Sequence, residues 1–181
     1  FSKFDKDVHF IFQNNPNGTG HAVKQAVDII SKYNHTFIFV GDSPFVNHEL
    51  IIQMYNSHMN NNSDCTIISS LFINRKFPYA RVVRKKKNIV KVVEEKDANE
   101  MEYKLNELFG SHYLFKSKIL LDFLDYLKPH KDNDEIYLTD ILNELLAKRK
   151  KINSIIIDDW VRLVGLNTKE DIAWVESKNI V

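Results

Sequence analysis

Short continuous apolar runs alternate with segments of helical periodicity along almost the whole chain, and this alternation restricts the possible folds most strongly. A continuous run such as "TFIFV" is typical of a strand that is buried on both faces, whereas a half-exposed strand alternates apolar and polar residues. Strands separated by helices predict one α/β domain with a mixed, mostly parallel sheet flanked by helices. We predict strands at 8–12, 36–40, 65–72, 80–84, 89–95, 112–115 and 152–157, and helices at 20–33, 47–58, 99–108, 117–127, 139–149 and 168–177.

The composition fits a single cytoplasmic domain. The chain has 181 residues, of which 44% are apolar, so it can form a sizeable core. A net charge of +1 gives no overall field that would favour nucleic acid or a membrane surface, and we expect neither as a partner. No apolar run reaches the roughly 18 residues of a membrane span, and no signal peptide is visible. The single cysteine, Cys65, is predicted to pack in the core, which suits a reducing compartment.

A glycine-containing loop, "QNNPNGTGHAV", joins the first predicted strand to the first predicted helix. Gly18 and Gly20 would let the backbone approach a flat or anionic ligand without interference from a Cβ atom. A plain turn between a strand and a helix would show the same pattern, so the pattern alone leaves both interpretations open. The spacing matches neither of the two common glycine-rich phosphate motifs. We expect His21 to brace the loop by a hydrogen bond, because no second histidine lies at metal-ligand spacing.

Polar residues at strand and helix ends supply candidates for chemistry. Asp42 directly follows the strand "FIFVG", where a carboxylate suits a metal, although a turn before Pro44 is the alternative. Glu94 and Glu95 close the strand "IVKVVEE", and either could accept hydrogen bonds from a sugar hydroxyl or could lie in solvent. Asn167 precedes the last predicted helix, where it could simply be the N-terminal cap.

The order of these motifs is more specific than any one of them. The segments "FQNNPNGTGHAV", "FVGDSP", "YARVVRKKKNIVKVVEEKDA", "EIYLTDIL" and "VGLNTKEDIA" follow one another over essentially the whole chain. The sequence thereby resembles the uridylyltransferase domain of bacterial-type N-acetylglucosamine-1-phosphate uridylyltransferases. The resemblance implies a Rossmann-like nucleotidyltransferase fold and a role in UDP-N-acetylglucosamine biosynthesis. It implies transfer of a uridylyl group from UTP to a sugar 1-phosphate, giving a UDP-sugar and pyrophosphate.

The resemblance also implies roles for individual residues. Uracil would be recognised by Gln13, Gly18 and Thr19. Gly41 and Asp42 would contact the nucleotide, and Asp42 and Asn167 would be the catalytic ligands of Mg²⁺. The residues implied on the sugar side are Ala80, Glu94, Phe109 and Thr139.

Three departures from the family pattern qualify these expectations. The opening strand and its "L-A-A-G-x-G-T-R-M" loop are not in this chain, so we expect 1–181 to be a truncated domain with little or no turnover alone. Phe109 stands where the family has a sugar-contacting asparagine, and Ala80 where it has a glycine. Both departures lie on the sugar side, so the nucleotide class is better supported than the sugar, and N-acetylglucosamine 1-phosphate stays the first choice of substrate. Another sugar 1-phosphate, or a degenerate protein that only binds UDP-sugars, is the alternative.

Overall fold

The computed structural model describes residues 8–73 and 77–177, and within them a single mixed sheet organises the fold. The strands lie in the order β4-β3-β5-β2-β6, and β1 also pairs with β5. The strands are β1 His35–Ile38, β2 Cys65–Leu71, β3 Ala80–Lys85, β4 Asn88–Val93, β5 Glu107–Lys116 and β6 Ile152–Ile157. The helices are α1 Thr19–Lys24, α2 Val27–Ile30, α3 His48–Asn60, α4 Glu100–Tyr103, α5 Ser117–Leu124, α6 Asp140–Ala147 and α7 Lys169–Glu176.

The α/β class is confirmed, but the predicted strand direction is wrong. The long central strand β5 runs antiparallel to β1, β2 and β3, and within the described residues only β2 and β6 pair in parallel. The sheet is therefore mostly antiparallel. The reason is that a continuous apolar run reports burial on both faces and carries no information on direction. The chain leaves β2, forms the β3–β4 hairpin that the sequence predicted, and returns through the sheet as β5 in the opposite direction.

The predicted first strand is also wrong. Residues 8–12 form no part of the sheet, and the side chains of Ile11 and Phe12 are exposed. An apolar run becomes a buried strand only where neighbouring strands satisfy its backbone groups and cover its side chains. In the described residues β1 pairs with β5, whereas the run 8–12 pairs with no strand.

Most other elements are confirmed with shifted ends. The strand 152–157 has the predicted bounds, and Cys65 is fully buried in β2. The predicted helix 20–33 is two short helices, separated at Gln25 and Ala26. The predicted helix 99–108 is shorter because β5 begins at Glu107. No helix in the described parts of the chain is long and apolar enough to cross a bilayer.

Alternate residues of β5 build a core on each face of the sheet, as the two-residue period of a strand requires. Tyr113 and Phe115 face α5 and α6, where they pack with residues such as Leu120 and Ile141. Leu114 faces α3 on the opposite side. Each fully buried side chain of this size contributes about 1.5–3 kcal/mol to folding. The two cores hold the irregular segments that follow β1 and β6 in fixed positions.

Candidate functional site

The two glycines of the first loop are required by a second loop that packs against it. Gly18 has a φ of 90°, and a Cβ atom there would lie 2.5 Å from the carbonyl oxygen of Ile136. Two backbone hydrogen bonds join the loops: Gly20 N–H donates to the Ile136 carbonyl at 2.8 Å, and Ile136 N–H donates to the Asn17 carbonyl at 2.9 Å. At Gly20 a Cβ atom would lie 2.7 Å from the side-chain methyl Cγ2 of Ile136. Packing against Ile136 therefore explains both glycines whether or not a ligand binds.

The hydroxyl of Thr19 strengthens the same junction. It accepts a hydrogen bond from Leu138 N–H at 3.0 Å, just before α6 begins. The side chain is otherwise exposed and lies at the edge of the larger pocket described below. The sequence predicted a ligand contact at Thr19, and the structure adds a bond that fixes the loop.

Gln13 and His21 face each other across this loop. The side-chain nitrogen Nε2 of Gln13 lies 2.8 Å from His21 Nδ1 and 3.2 Å from the carbonyl oxygen of Gly18. His21 therefore braces the loop, as the sequence predicted. The second ring nitrogen of His21 lies 3.2 Å from Nε2 of Gln25, one turn further along the chain.

Asp42 and Asn167 are brought together by Gly165. Oδ2 of Asp42 lies 2.9 Å, and Nδ2 of Asn167 lies 3.3 Å, from the position that a Cβ atom at Gly165 would occupy. Two bonds fix this arrangement: Leu166 N–H donates to the Asp42 carbonyl at 2.8 Å, and Gly165 N–H donates to the Tyr79 hydroxyl at 2.8 Å. A side chain at Gly165 would fill the space between the two polar groups.

The cap at the start of α7 is Thr168, so the alternative role of Asn167 as the cap is wrong. The hydroxyl of Thr168 accepts from Asp171 N–H at 3.1 Å, and the Asp171 carboxylate accepts from Thr168 N–H at 2.9 Å. Asn167 N–H also donates to that carboxylate. The backbone of Asn167 belongs to the cap, and its side-chain Nδ2 lies beside Gly165, where the Asp42 carboxylate also lies.

The donor groups at this place fit a hard divalent cation. Oδ1 of Asp42 is buried, and no hydrogen-bond partner for it exists within the described residues. A buried acceptor left unsatisfied costs about 1–3 kcal/mol, which a bound ligand would recover. Carboxylate and amide oxygens are the donors that Mg²⁺ prefers, and Mg²⁺ usually retains water and takes phosphate oxygens as further ligands. Within the described residues no group of three or more His, Cys, Asp or Glu side chains is arranged to hold a metal ion, and at this place Asp42 and Asn167 would be the two protein ligands.

Two pockets meet at Asp42. A mostly apolar pocket of about 510 Å³ lies between α1 and the sheet. A smaller one of about 120 Å³ lies between the segment after β1, the start of β3 and residues 109–111 inside β5. Asp42 and Ser111 line both. The larger pocket includes Thr19, Ala22, Val23, Ile38, Gly41, Tyr113 and Leu138, and the smaller includes Ser43, Tyr79, Ala80, Glu94, Phe109 and Gly165.

The pockets divide the predicted site residues by their predicted role. Thr19 and Gly41, which the sequence assigns to the nucleotide, line the larger pocket. Ala80, Glu94 and Phe109, which it assigns to the sugar, line the smaller. Gln13, Gly18, Asn167 and Thr139 are absent from both linings. Asn167 and Thr139 lie next to the wall of the smaller pocket, beside Gly165 and Glu94 respectively.

Glu94 directly follows β4, is partly buried, and accepts a hydrogen bond from the Thr139 side chain. Burial raises the pKa of its carboxyl group, and the hydrogen bond from Thr139 opposes that rise. Thr139 stands at the cap position of α6, but its hydroxyl also lies 3.2 Å from the Tyr113 hydroxyl and does not cap the helix. Asn143 fixes α6 to β4 by exchanging two hydrogen bonds with the Val92 backbone. A carboxylate is thereby held at the wall of the smaller pocket.

Ala80 and Phe109, the two residues that depart from the family pattern, form an apolar part of the wall of the smaller pocket. Ala80 and Phe109 are paired across β3 and β5, and both are almost fully buried. The ring of Phe109 packs edge-on against Tyr113 with 4.9 Å between centroids. The wall is therefore apolar at Phe109, where the family pattern has an asparagine that makes a polar contact with the sugar.

Sequence reasoning missed three residues beside the site. Gly165 was visible in "VGLN", two positions before Asn167, but its role depends on a contact that only the fold shows. Ser111 adopts a left-handed backbone with φ of 62°, where the register of β2 and β5 shifts. His112 is fully buried, packs against Phe39, and has no partner among the described residues for either ring nitrogen. Burial lowers the pKa of His112 to about 4, against a smaller opposing effect of Asp42.

Comparison with known proteins places this arrangement in a family. The chain matches the family model described as nucleotidyl transferase over residues 1–175, and it belongs to that family. It is 35% identical over 173 residues to the bifunctional protein GlmU of Clostridium perfringens strain SM101, and 32% identical over 173 residues to that of Thermosipho melanesiensis. These alignments cover 95% and 96% of this chain but 38% and 37% of the relatives. The chain thus spans less than two fifths of their length.

Solved structures show the same fold. A UDP-glucose pyrophosphorylase complexed with UDP-glucose has a TM-score of 0.69 at 19% identity, over 93% of this chain and 66% of that one. The apo form of a UDP-glucose pyrophosphorylase has a TM-score of 0.70 at 18% identity, over 98% and 67%. The predicted nucleotide-sugar pyrophosphorylase resemblance is confirmed at the level of the family and the fold.

Proposed function

We propose that this domain transfers a uridylyl group from UTP to a sugar 1-phosphate with the help of Mg²⁺, and that N-acetylglucosamine 1-phosphate is the acceptor. The observation that carries the proposal is the meeting of Asp42 and Asn167 at Gly165, at the junction of the two pockets. The relatives named GlmU and the structure that binds UDP-glucose support a nucleotide-sugar as the product class.

The two pockets suit the two halves of a UDP-sugar. The larger pocket is apolar and open enough for a flat base and ribose, and the loop of Gln13 borders it. The smaller pocket carries the Glu94 carboxylate, which can accept hydrogen bonds from sugar hydroxyls. The phosphates that join the halves would then lie beside Asp42, which lines both pockets.

The reaction needs positioning more than acid–base chemistry. An oxygen of the sugar 1-phosphate forms a bond to the α-phosphorus of UTP, while the bond from that phosphorus to the β-phosphate oxygen breaks and pyrophosphate leaves. The attacking oxygen is already anionic, so no general base is required. Mg²⁺ bound by Asp42 and Asn167 would neutralise charge on the phosphates. The fixed backbone around Gly165 and Leu166 holds these two side chains in place, which is the kind of positioning that accelerates such a reaction.

The sugar wall supports an acetamido sugar. Phe109 and Ala80 present apolar surface beside the Glu94 carboxylate. An acetamido methyl would be buried favourably against such a surface, whereas a hydroxyl would gain nothing there. A different hexose 1-phosphate is the alternative acceptor.

A protein that binds UDP-sugars without catalysis is the second candidate. Within the described residues, neither pocket is lined by a lysine or arginine that could handle the β- and γ-phosphates of UTP. This favours product binding over turnover by this chain alone.

Pyrophosphate release by the complete protein that contains this domain, measured with UTP, Mg²⁺ and a panel of sugar 1-phosphates, tests the proposal. We expect release with N-acetylglucosamine 1-phosphate above all others, and loss of at least about 100-fold in Asp42→Asn. Asp122→Asn, which changes a carboxylate on α5 away from both pockets, is the matched control. If none of the sugar 1-phosphates gives pyrophosphate release but the protein still binds UDP-sugars, the proposed catalysis is wrong and the protein is a UDP-sugar-binding protein.

A further inference from the structure

The side-chain amide of Gln13 is held in one orientation by two neighbours. Its Nε2 lies 3.2 Å from the Gly18 carbonyl oxygen and 2.8 Å from His21 Nδ1. A carbonyl oxygen can only accept, so the amide nitrogen must be the atom that faces it. A glutamine nitrogen has two hydrogens, and these two contacts use both. The atom left for any other partner is the acceptor Oε1.

The ring of His21 can serve only one of its two glutamine neighbours as an acceptor. A neutral imidazole carries its hydrogen on one nitrogen and accepts on the other. The contact of Nδ1 with Gln13 is 2.8 Å and partly buried, while the contact of Nε2 with Gln25 is 3.2 Å and exposed. Nε2 of Gln25 also has the backbone carbonyl of His21 at 3.2 Å. The shorter, more buried contact assigns the acceptor to Nδ1.

We infer that His21 is a positioning residue for base selection, which it achieves by keeping Oε1 of Gln13 toward the nucleotide. This inference rests on the proposed function, because it takes Gln13 as the residue that meets the base. An outward acceptor pairs with a ring N–H, which uracil and thymine carry at N3. Cytosine has a lone pair at that position and would face the oxygen unfavourably. The loop would thus select uridine or thymidine nucleotides over cytidine nucleotides.

Two substitutions separate this role from a general effect on the loop. His21→Leu removes the acceptor at similar volume, so the Gln13 amide can rotate. His21→Asn can place its Oδ1 where Nδ1 lies and so restores an acceptor. We expect the ratio of UTP to CTP affinity, measured with Mg²⁺ by calorimetry, to fall about tenfold in His21→Leu and to stay within about twofold of wild type in His21→Asn. Melting temperatures of both variants should match the wild type within a few degrees.

A second readout needs no nucleotide. In the wild type, the side-chain amide hydrogens of Gln13 should exchange with solvent more slowly than those of exposed Gln25, as measured by NMR. Equal exchange in the wild type would overturn the inference even if a variant failed to fold. A wild type that prefers UTP, with the same preference in His21→Leu, would overturn it and leave the proposed function intact. A wild type that binds no uridine nucleotide would overturn the proposed function and this inference with it.

Discussion

The carboxylate of Asp42 and the amide of Asn167 meet over the missing side chain of Gly165, although β2 to β6 separate them in the chain. Backbone hydrogen bonds from Leu166 and Gly165 hold the two segments together. Nothing in the spacing of the two residues requires this contact. It is a product of the fold, and the proposed function depends on it.

Gly165→Ala tests that relationship most simply. The added Cβ would lie 2.9 Å from Oδ2 of Asp42, which is closer than two such atoms can approach, so the carboxylate must move. We expect the Mg²⁺-dependent affinity for a UDP-sugar to fall at least about tenfold. Calorimetry with UDP-N-acetylglucosamine measures this. Unchanged affinity would show that the space above Gly165 is not part of the binding site.

Gly18→Ala should destabilise the protein, and Gly41→Ala should not. Gly18 combines a φ of 90° with a backbone contact at 2.5 Å, whereas a Cβ at Gly41 would meet nothing within 4 Å. We expect the free energy of unfolding to fall by at least about 2 kcal/mol for Gly18→Ala and to change by less than about 0.5 kcal/mol for Gly41→Ala. Urea denaturation checks both. If Gly41→Ala also weakens nucleotide binding, its backbone contacts the ligand. Equal stability of the two variants would contradict the packing against Ile136.

His112→Leu should stabilise the fold. His112 is fully buried, and neither ring nitrogen has a partner among the described residues, so its desolvation is not compensated. Replacing it by an apolar side chain of similar size removes that penalty, and we expect a gain of about 1 kcal/mol in the free energy of unfolding. His48→Leu, at an exposed position on α3, is the control and should give no gain. A loss of stability in His112→Leu would show that the ring has a partner in solution, such as a bound water molecule.

Two buried histidines should make the protein sensitive to mild acid. Burial lowers the pKa of His112, and of His58, from 6.5 to about 4. Between those values the unfolded chain binds more protons than the folded one, so stability rises with pH and is lost as the pH falls from about 6.5 toward 4. We expect a slope near 1 kcal/mol per pH unit for each histidine, measured by urea denaturation across that range. The slope should be smaller in His112→Leu, and an unchanged slope would contradict the lowered pKa.

Phe109→Asn should not restore the family's sugar contact. Phe109 is buried against Tyr113, so the substitution removes a ring from the core and buries an amide. We expect a loss of about 3 kcal/mol in the free energy of unfolding and no gain in affinity for UDP-N-acetylglucosamine. Thermal melting together with calorimetry would decide. A stable variant with tighter sugar binding would show that the polar contact is still available in this pocket.

Local features of the fold were predictable because they depend on neighbours in sequence. The β3–β4 hairpin follows from two apolar runs around a short basic turn, and β6 from a short segment rich in isoleucine. The direction of β5 was not predictable, because burial on both faces is the same for parallel and antiparallel strands. The run 8–12 failed for a related reason: its composition suits a strand, but strand formation depends on a partner distant in sequence.

In the candidate site, too, features that depend on neighbours in sequence were predictable and features that depend on distant segments were not. Asp42 was identifiable from its place after an apolar strand, and His21 from its place in the loop. The roles of Gly165 and the isolation of His112 were not, because both depend on atoms from segments far apart in the chain. The sequence predicted that Gly18 and Thr19 contact a ligand. Their structural partners belong to a second loop, at Ile136 and Leu138, and the sequence alone could not place that loop beside them.

A Mg²⁺ site shared by Asp42 and Asn167 is best tested by the effect of Mg²⁺ on UDP-N-acetylglucosamine binding, measured by calorimetry for the wild type, Asp42→Asn, Asn167→Ala and the double variant. We expect Mg²⁺ to tighten binding at least about tenfold in the wild type, and each single variant to lose most of this effect. The double variant should lose little more than either single variant, because both side chains hold one ion. Equal Mg²⁺ effects in all four proteins, or fully additive losses, would contradict a shared site at Gly165.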